Sequence, residues 1–235
     1  AGADRRFAMN AQRKLVIING SPKPDSNPSV SEYLSSLAES RMTGDEISIK
    51  RFSARKSVLS GSAEAYTAML ESDAILIIFP LYFFCLPGLL TRFLQDYTAF
   101  VKTQESGCKV PRVYAIVNCG FPEDEINGEA LRVVENLSRA IGARWRFGLM
   151  VGGGGMLLGA KDAPFMKGVM GTIDEYFSLI KNDIITQKDS ELQTMRAYVK
   201  FPRKLYFMMG NLGWRMQAKS NGLKPRDLYK KPYLK

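Results

Sequence analysis

Five short strand-like runs, each followed by a segment of helical periodicity, constrain this 235-residue chain more than any other feature. The runs are Lys14 to Asn19 (KLVIIN), Glu46 to Arg51 (EISIKR), Ala74 to Phe79 (AILIIF), Arg112 to Asn118 (RVYAIVN) and Arg144 to Val151 (RWRFGLMV). All are short and rich in β-branched or aromatic residues, and the first ends in the turn residues Gly20, Ser21 and Pro22. Between them, helical spacing recurs. Asn27 is expected to cap a helix with Pro28 in its first turn and Val30, Leu34, Leu37 and Ala38 on one face. Ala65, Ala68 and Met69 mark a short helix, and Leu86, Leu89, Leu90, Phe93, Leu94, Tyr97 and Val101 mark one starting at Pro87. A fourth helix begins at Asn127 and stops at Gly142, and a fifth spans Asp162 to Lys181.

Strands that alternate with helices form a parallel sheet covered on both faces, because right-handed crossovers place each helix over the sheet. The expected fold is α/β: a doubly wound, five-stranded parallel sheet, flavodoxin-like in its order 2-1-3-4-5, with a basic C-terminal extension. The expected divisions are an N-terminal segment 1–13, partly of added sequence with Met9 as a candidate natural start, the sheet domain 14–185, and the extension 186–235. The uncharged run Ala74 to Leu90 is close to membrane-spanning length, but Pro80 and Pro87 would break a spanning helix in both halves. A buried strand, a loop and a new helix account for every residue of it.

The chain has no histidine, which excludes a Ser-His-Asp triad, a Cys-His dyad and an HExxH zinc site. Catalysis must use other side chains or a cofactor with its own reactivity. Cys85, Cys108 and Cys119 are odd in number and lack CxxC spacing, so neither a disulfide framework nor a cysteine-ligated metal is expected. A reducing, cytoplasmic setting is the expectation, and the polar start shows no apolar signal core.

In an open parallel sheet the ligand site lies at the carboxyl ends of the strands, near the reversal of strand order. After the first strand come Ser21, Lys23, Ser26, Asn27, Pro28 and Ser29, a group of hydroxyls, an amide and a lysine set before a helix N-terminus. Such a loop suits a phosphate, and the same residue types also serve ordinary turns and caps. It matches neither GxxxxGK[ST] nor GxGxxG. After the third strand, Pro80, Leu81, Tyr82, Phe83 and Phe84 place three successive aromatics at the same edge, enough to border a flat ligand as well as to cover strand ends. After the fourth, Asn118, Cys119, Gly120 and Phe121 repeat the pattern, with Gly120 allowing close backbone approach.

Together GSPKPDSNPS, FPLYFFCLPGLLTRFLQDY and NCGFPE, within a pattern extending over residues 14–181, resemble the flavodoxin-like NAD(P)H-dependent FMN reductases and quinone reductases. The resemblance implies FMN as cofactor and NADPH or NADH as co-substrate. Ser21, Lys23, Ser26, Asn27, Pro28 and Ser29 would hold the FMN phosphate; Pro80, Leu81, Tyr82, Phe83 and Phe84 would border the ring and ribityl chain. Asn118, Cys119, Gly120 and Phe121 would close the opposite edge. It further implies a homodimer and a ping-pong transfer of hydride through flavin N5 to a small acceptor such as a quinone, flavin, nitro or azo compound. No side chain is then needed as an obligatory acid or base, and no catalytic residue or metal ligand is assigned. The readings of another class are a non-enzymatic electron-transfer or redox-sensing module, and a basic interaction protein with an empty site. Cys85 and Cys119 are expected to pack rather than react. Gly152 to Gly155 suits either close approach by a substrate or partner, or a flexible loop.

The formal charge of +10 is not spread along the chain. Residues 196–235 contain 11 Lys plus Arg and one Asp, whereas residues 1–195 balance 22 against 22. Packing of the tail's aromatic and Met residues on the core or across a dimer is the first expectation, and contact with an anionic surface or membrane the second. Nucleic acid is not expected. Pro202, Gly210, Gly213, Gly222, Pro225 and Pro232 are expected to interrupt any long amphipathic helix there.

Overall fold

The computed structural model describes residues 12–24, 26–104, 109–200, 202–231 and 233. Expectations that fall on Met9, Asp25, Cys108, Phe201 and Pro232 lie outside those residues. The described residues divide into two compact units, one reaching Val199 and the other starting at Lys200.

The first unit is an α/β domain whose strands are β1 (Arg13–Asn19), β2 (Ile47–Ser53), β3 (Ala74–Pro80), β4 (Arg112–Asn118), β5 (Arg144–Val151) and β6 (Met195–Ala197). All neighbours pair in parallel in the order β2-β1-β3-β4-β5-β6. The five strands expected are present in their expected order, and the expectation is corrected by the sixth. Met195-Arg196-Ala197 is too short and too polar to show strand periodicity. It is held instead by pairing with Leu149–Val151 and by a two-pronged ion pair from Arg196 to the buried carboxylate of Asp124, at 2.7 and 2.9 Å.

β3 and β4 are buried along almost their whole length because helices cover both faces. Successive side chains of a strand point to opposite faces, so Val16, Ile18, Ile75, Ile77 and Phe79 meet Leu90, Phe93 and Tyr97 in one apolar cluster. The alternate residues Leu15, Ile17, Leu76 and Ile78 are equally buried. The helices of this unit are α1 (Val30–Met42), α2 (Ala54–Ser60), α3 (Ala63–Glu71), α4 (Gly88–Lys102), α5 (Gly128–Ala140), α6 (Met156–Gly159) and α7 (Lys167–Thr186).

Their ends differ from expectation where a side chain competes for the cap. Ser29, not Asn27, caps α1: its Oγ accepts the Glu32 N–H at 3.1 Å, and Pro28 precedes the cap. α5 follows a 3-10 turn at Asp124–Asn127, and Gly142 ends the segment with φ of 68°. α7 starts after the Pro164–Met166 turn and runs beyond the expected end, because Asp183 and Ile184 are buried.

That burial depends on a charge network at the amino ends of β4 and β5. Asp183 accepts hydrogen bonds from Arg112 (3.1 Å), Arg146 (2.8 and 2.9 Å) and the Tyr114 hydroxyl (2.7 Å). Arg112 also donates to the Gln187 side chain and the Lys188 carbonyl, and Arg146 to the Ser190 carbonyl. The turn after α7 is thereby clamped to the sheet on its way to β6. Burial opposes ionisation of Asp183, but the hydrogen bonds from Arg146 and Tyr114 and the two guanidinium charges hold its carboxyl below the ordinary carboxylate value. Burial and the same carboxylate raise the Tyr114 hydroxyl.

The second unit contains α8 (Arg203–Ser220), a continuous helix, and a 3-10 turn at Pro225–Tyr229. The expectation that Pro202, Gly210 and Gly213 would interrupt it is corrected. Pro202 stands at the cap, where it leaves no hydrogen bond unmade, and each interior glycine costs only about 1 kcal/mol relative to alanine. The helix ends at Asn221, before Gly222 with φ of 74°. No described helix is long and apolar enough to cross a membrane.

A group whose folded pKa is depressed contributes stability above its unfolded value, about 3.9 for Asp, and loses it as pH falls through the folded value. Urea unfolding of the native protein should therefore show a midpoint that drops below about pH 4. Asp183→Asn should destabilise the protein at neutral pH by about 3–5 kcal/mol, as two buried guanidiniums lose their counter-charge. It should also flatten the acid dependence. An unchanged acid profile in the variant would remove Asp183 from this role.

Candidate functional site

The carboxyl ends of β1, β3 and β4 bring the three aromatic or hydroxyl-bearing loops to one edge of the sheet, and a single side chain joins them. Asn118, the last residue of β4, is buried. Its Nδ2 donates to the Phe79 carbonyl on β3 at 3.0 Å and to Ser31 Oγ in the first turn of α1 at 3.1 Å. Its carbonyl accepts the Leu81 N–H at 2.8 Å, so the loop after β3 leaves along β4. Asn19 plays the matching part at the end of β1. It accepts the Ser21 N–H through Oδ1 at 2.9 Å and donates to Glu32 at 2.7 Å.

The loop after β1 is thus built by its own polar groups. Ser21 is buried and accepts the Lys23 N–H, and Lys23 Nζ donates to the Pro28 carbonyl at 3.2 Å. The Asn27 N–H bonds the Pro24 carbonyl. Ser26, Asn27 and Pro28 are exposed, and Ser29 is buried as the cap of α1. Gly20 has no room for a side chain: a Cβ there would lie 2.7 Å from Leu90 and 2.8 Å from Phe79.

A cleft of about 350 Å³ opens beside this loop, lined by Lys23, Asn27 and Ser29 together with Asn19, Arg51, Ser53 and Lys56. The last four were not singled out in the sequence. The paired ends of β1 and β2, with Asn19 opposite Ser53, bring them here. Glu32 also lines the cleft, but its carboxylate is engaged by Asn19 and Arg51, which also pairs with Glu39. Lys23 and Lys56 therefore leave the cleft a cationic rim. The residues after β3 and β4 do not line this cleft; they occupy the neighbouring strand ends.

After β3, Tyr82 and Cys85 exchange backbone hydrogen bonds at 2.9 Å across a two-residue turn. Its central residues, Phe83 and Phe84, both have left-handed backbone, with φ of 48° and 59°. Positive φ at both centres defines a type I′ turn, which favours Asn-Gly and strains a bulky residue. The aromatics do not repay that strain by packing inward: Phe83 is 98% exposed, Phe84 62% and Tyr82 42%. Cys85 is also exposed, whereas Pro80 and Leu81 are partly buried.

After β4 the pattern divides. Gly120 and Phe121 are exposed. Cys119 turns inward, its thiol set 3.5–3.7 Å from the carbonyls of Phe121, Glu123 and Val151 and accepting from Asn127 Nδ2. Burial raises its thiol, which keeps it protonated and inert near neutral pH. The glycine run after β5 packs on this loop: Gly153 and Gly154 donate to the Phe121 and Cys119 carbonyls, at 2.6 and 2.7 Å. A Cβ on Gly152 would lie 2.6 Å from the Pro122 carbonyl oxygen, so close approach there is by the chain itself.

Residues 13–117 match the family model described as NADPH-dependent FMN reductase, a stretch from the start of β1 to the penultimate residue of β4. This bears out the resemblance carried by the strand-end loops over that stretch. No curated protein sequence matches the chain.

Solved structures of the same fold include an NADPH-quinone reductase from P. pentosaceus, with a TM-score of 0.51 and 15% identity over 75% of this chain and 99% of that one. An azoreductase from Bacillus anthracis str. Sterne gives 0.50 and 14%, over 73% of this chain and 100% of that one. The apo form of an NADH:FMN oxidoreductase (EMOB) gives 0.53 and 16%, over 83% and 98%.

Replacing Phe83 by Asn and Phe84 by Gly should relieve the turn. The double variant should gain about 1–2 kcal/mol in denaturant unfolding, because the exposed rings do not repay the strain by packing. A stability loss instead would show that the two rings support the fold.

Proposed function

We propose that the protein is an FMN-dependent NAD(P)H oxidoreductase that passes reducing equivalents from a nicotinamide to a quinone, free flavin, nitro or azo acceptor by a ping-pong cycle. The observation that carries this reading is the junction at Asn118, which draws the phosphate-type loop, the exposed aromatic turn and the β4 loop to one sheet edge.

The donor set there fits FMN. Exposed Ser26 and Asn27, the N–H groups of the first turn of α1 and the cationic rim of Lys23 and Lys56 suit a phosphoester. Pro28 and Ser29 set the direction of that first turn, and Ser21 shapes the loop from within. Tyr82, Phe83 and Phe84 offer apolar faces for a planar ring, with Pro80 and Leu81 fixing where the turn begins. Phe121 and Gly120, beside which a side chain would meet only open space, would border the other edge, while Asn118 and Cys119 act from beneath by holding the loop.

When bound, FMN supplies the hydride chemistry at N5. The chain's own part is to bind, orient and shield. Backbone amides and hydroxyls fix the phosphate end, and the aromatic turn excludes water from one side of the ring site. Nicotinamide and acceptor would use the same open side in turn, which is the basis of the ping-pong kinetics proposed. No histidine exists to move a proton, so acid-base assistance is not assigned to a side chain. A homodimer is the assembly this reading expects.

Purified protein supplied with FMN should absorb near 450 nm (roughly, as oxidised flavins do), bleach anaerobically with NADPH or NADH, and recover on addition of a quinone. Initial rates against both substrates should give parallel double-reciprocal lines. A protein that takes up no FMN would overturn the reading, and one that bleaches without passing electrons to any acceptor class would reduce it to a carrier.

The cap residue separates two roles within the phosphate loop. Asn27→Ala should weaken FMN binding, by roughly tenfold for one lost donor, with unchanged thermal unfolding. Ser29→Ala should lower stability by about 1 kcal/mol through loss of the cap, and weaken FMN binding as well. Equal FMN affinity in Asn27→Ala and the parent protein would exclude that side chain from the site.

A further inference from the structure

The second unit carries a surface that flavin chemistry does not use. We propose that α8 docks the protein on an anionic lipid surface, lying in the plane of the headgroups. Residues 200–235 hold ten Lys or Arg and a single acidic residue, Asp227. That carboxylate already pairs with Lys230 at 2.8 Å and accepts the Lys224 N–H. The charge is therefore uncompensated within the unit, while residues 1–195 are balanced at 22 basic against 22 acidic.

At about 100° per residue, Leu205, Met208, Met209, Leu212 and Met216 fall within one arc of roughly 100° on α8. All five are exposed, from 37% at Leu205 to 66% at Met216. Lys204 and Arg215 border that arc on one side and Lys219 lies within it, while Trp214, 65% exposed, and Phe207 lie on the opposite face of the helix. No acidic residue interrupts the helix.

An aliphatic strip accompanied by long cationic side chains matches the interface of an anionic bilayer. The strip enters the acyl boundary, and the ammonium and guanidinium groups reach the phosphates along their own methylene stems. The other occupants fit less well. A second copy on the same face would bring two uncompensated cationic units together. Single-stranded nucleic acid would match the charge but leave the Leu and Met strip without stacking partners. This inference does not rest on FMN binding, and its test needs no flavin.

Full-length protein would be sedimented with vesicles of phosphatidylcholine alone and of phosphatidylcholine with about 30% phosphatidylglycerol, a composition chosen to give a negative surface potential. Binding should favour the anionic vesicles by at least about tenfold and weaken several-fold as salt rises from about 0.1 to about 0.5 M, where charges are screened over shorter distances. In a Met216→Trp variant, which puts an indole on the strip, anionic vesicles should add a blue-shifted emission that the parent protein, with Trp214 on the opposite face, lacks. Leu212→Asp and Lys204→Glu/Arg215→Glu should each abolish sedimentation while thermal unfolding of the protein stays unchanged.

Equal binding to both vesicles, or none, overturns the proposal. So does tighter binding of a single-stranded oligonucleotide than of anionic vesicles. If Leu212→Asp dissociates an oligomer and leaves vesicle binding intact, the strip is covered by a second copy and the lipid assignment fails.

Discussion

The hydrogen bonds of Asn118 decide whether the ends of this sheet form a site at all. Parallel strands leave their last carbonyls and the following loops free to diverge, and in this fold three such loops must meet. One amide side chain, buried at the end of β4, reaches both the β3 carbonyl of Phe79 and the Ser31 hydroxyl of α1. A buried amide that loses a partner costs about 1–3 kcal/mol, so the junction resists local rearrangement. Asn19 does the same for β1, and its bond to Glu32 connects the loop to Arg51 on β2. The precision of the edge thus comes from residues beneath the surface rather than from those exposed on it.

The opposite end of the sheet has the complementary arrangement. Arg112 and Arg146 enter β4 and β5 from the amino side, and Asp183 at the end of α7 neutralises both. This fixes where the chain leaves α7, and from there it reaches β6, whose Arg196 meets Asp124 beside the β4 loop. Ion pairing at the amino ends is thereby connected through covalent chain to the geometry at the carboxyl ends. The first residue of the apparent basic tail is a structural part of the sheet.

The fold was legible in the sequence where burial on two faces imposes continuous apolar runs, as in Ile75–Phe79 and Val113–Val117. It was not legible at β6, where three residues are held by tertiary partners, nor in α8, where two glycines are carried by the surrounding helix. Within the site, the hydroxyl loop and the aromatic turn announce themselves by composition. Arg51, Ser53 and Lys56 do not, because only strand pairing brings them beside Lys23. Asn19 and Asn118 had a signal available, since each ends a strand before a polar or glycine-bearing loop. Ser29 and Asn27 were equally plausible caps by residue type, and the hydrogen bond to Glu32 selects Ser29.

The aromatic turn shows what this arrangement costs. Two phenylalanines in left-handed backbone store about 1–3 kcal/mol each, and their exposed rings recover almost none of it by burial within the chain. A turn of Asn and Gly would satisfy the fold with less strain. Under the proposed function, a flat ring at the adjoining strand ends would give the exposed rings the apolar partner that the chain itself does not. In a protein without histidine, chemistry borrowed from a cofactor requires that cofactor to be gripped and oriented. Under the proposed function, local backbone strain held in place by the edge that Asn118 creates would be the form in which the fold meets that requirement.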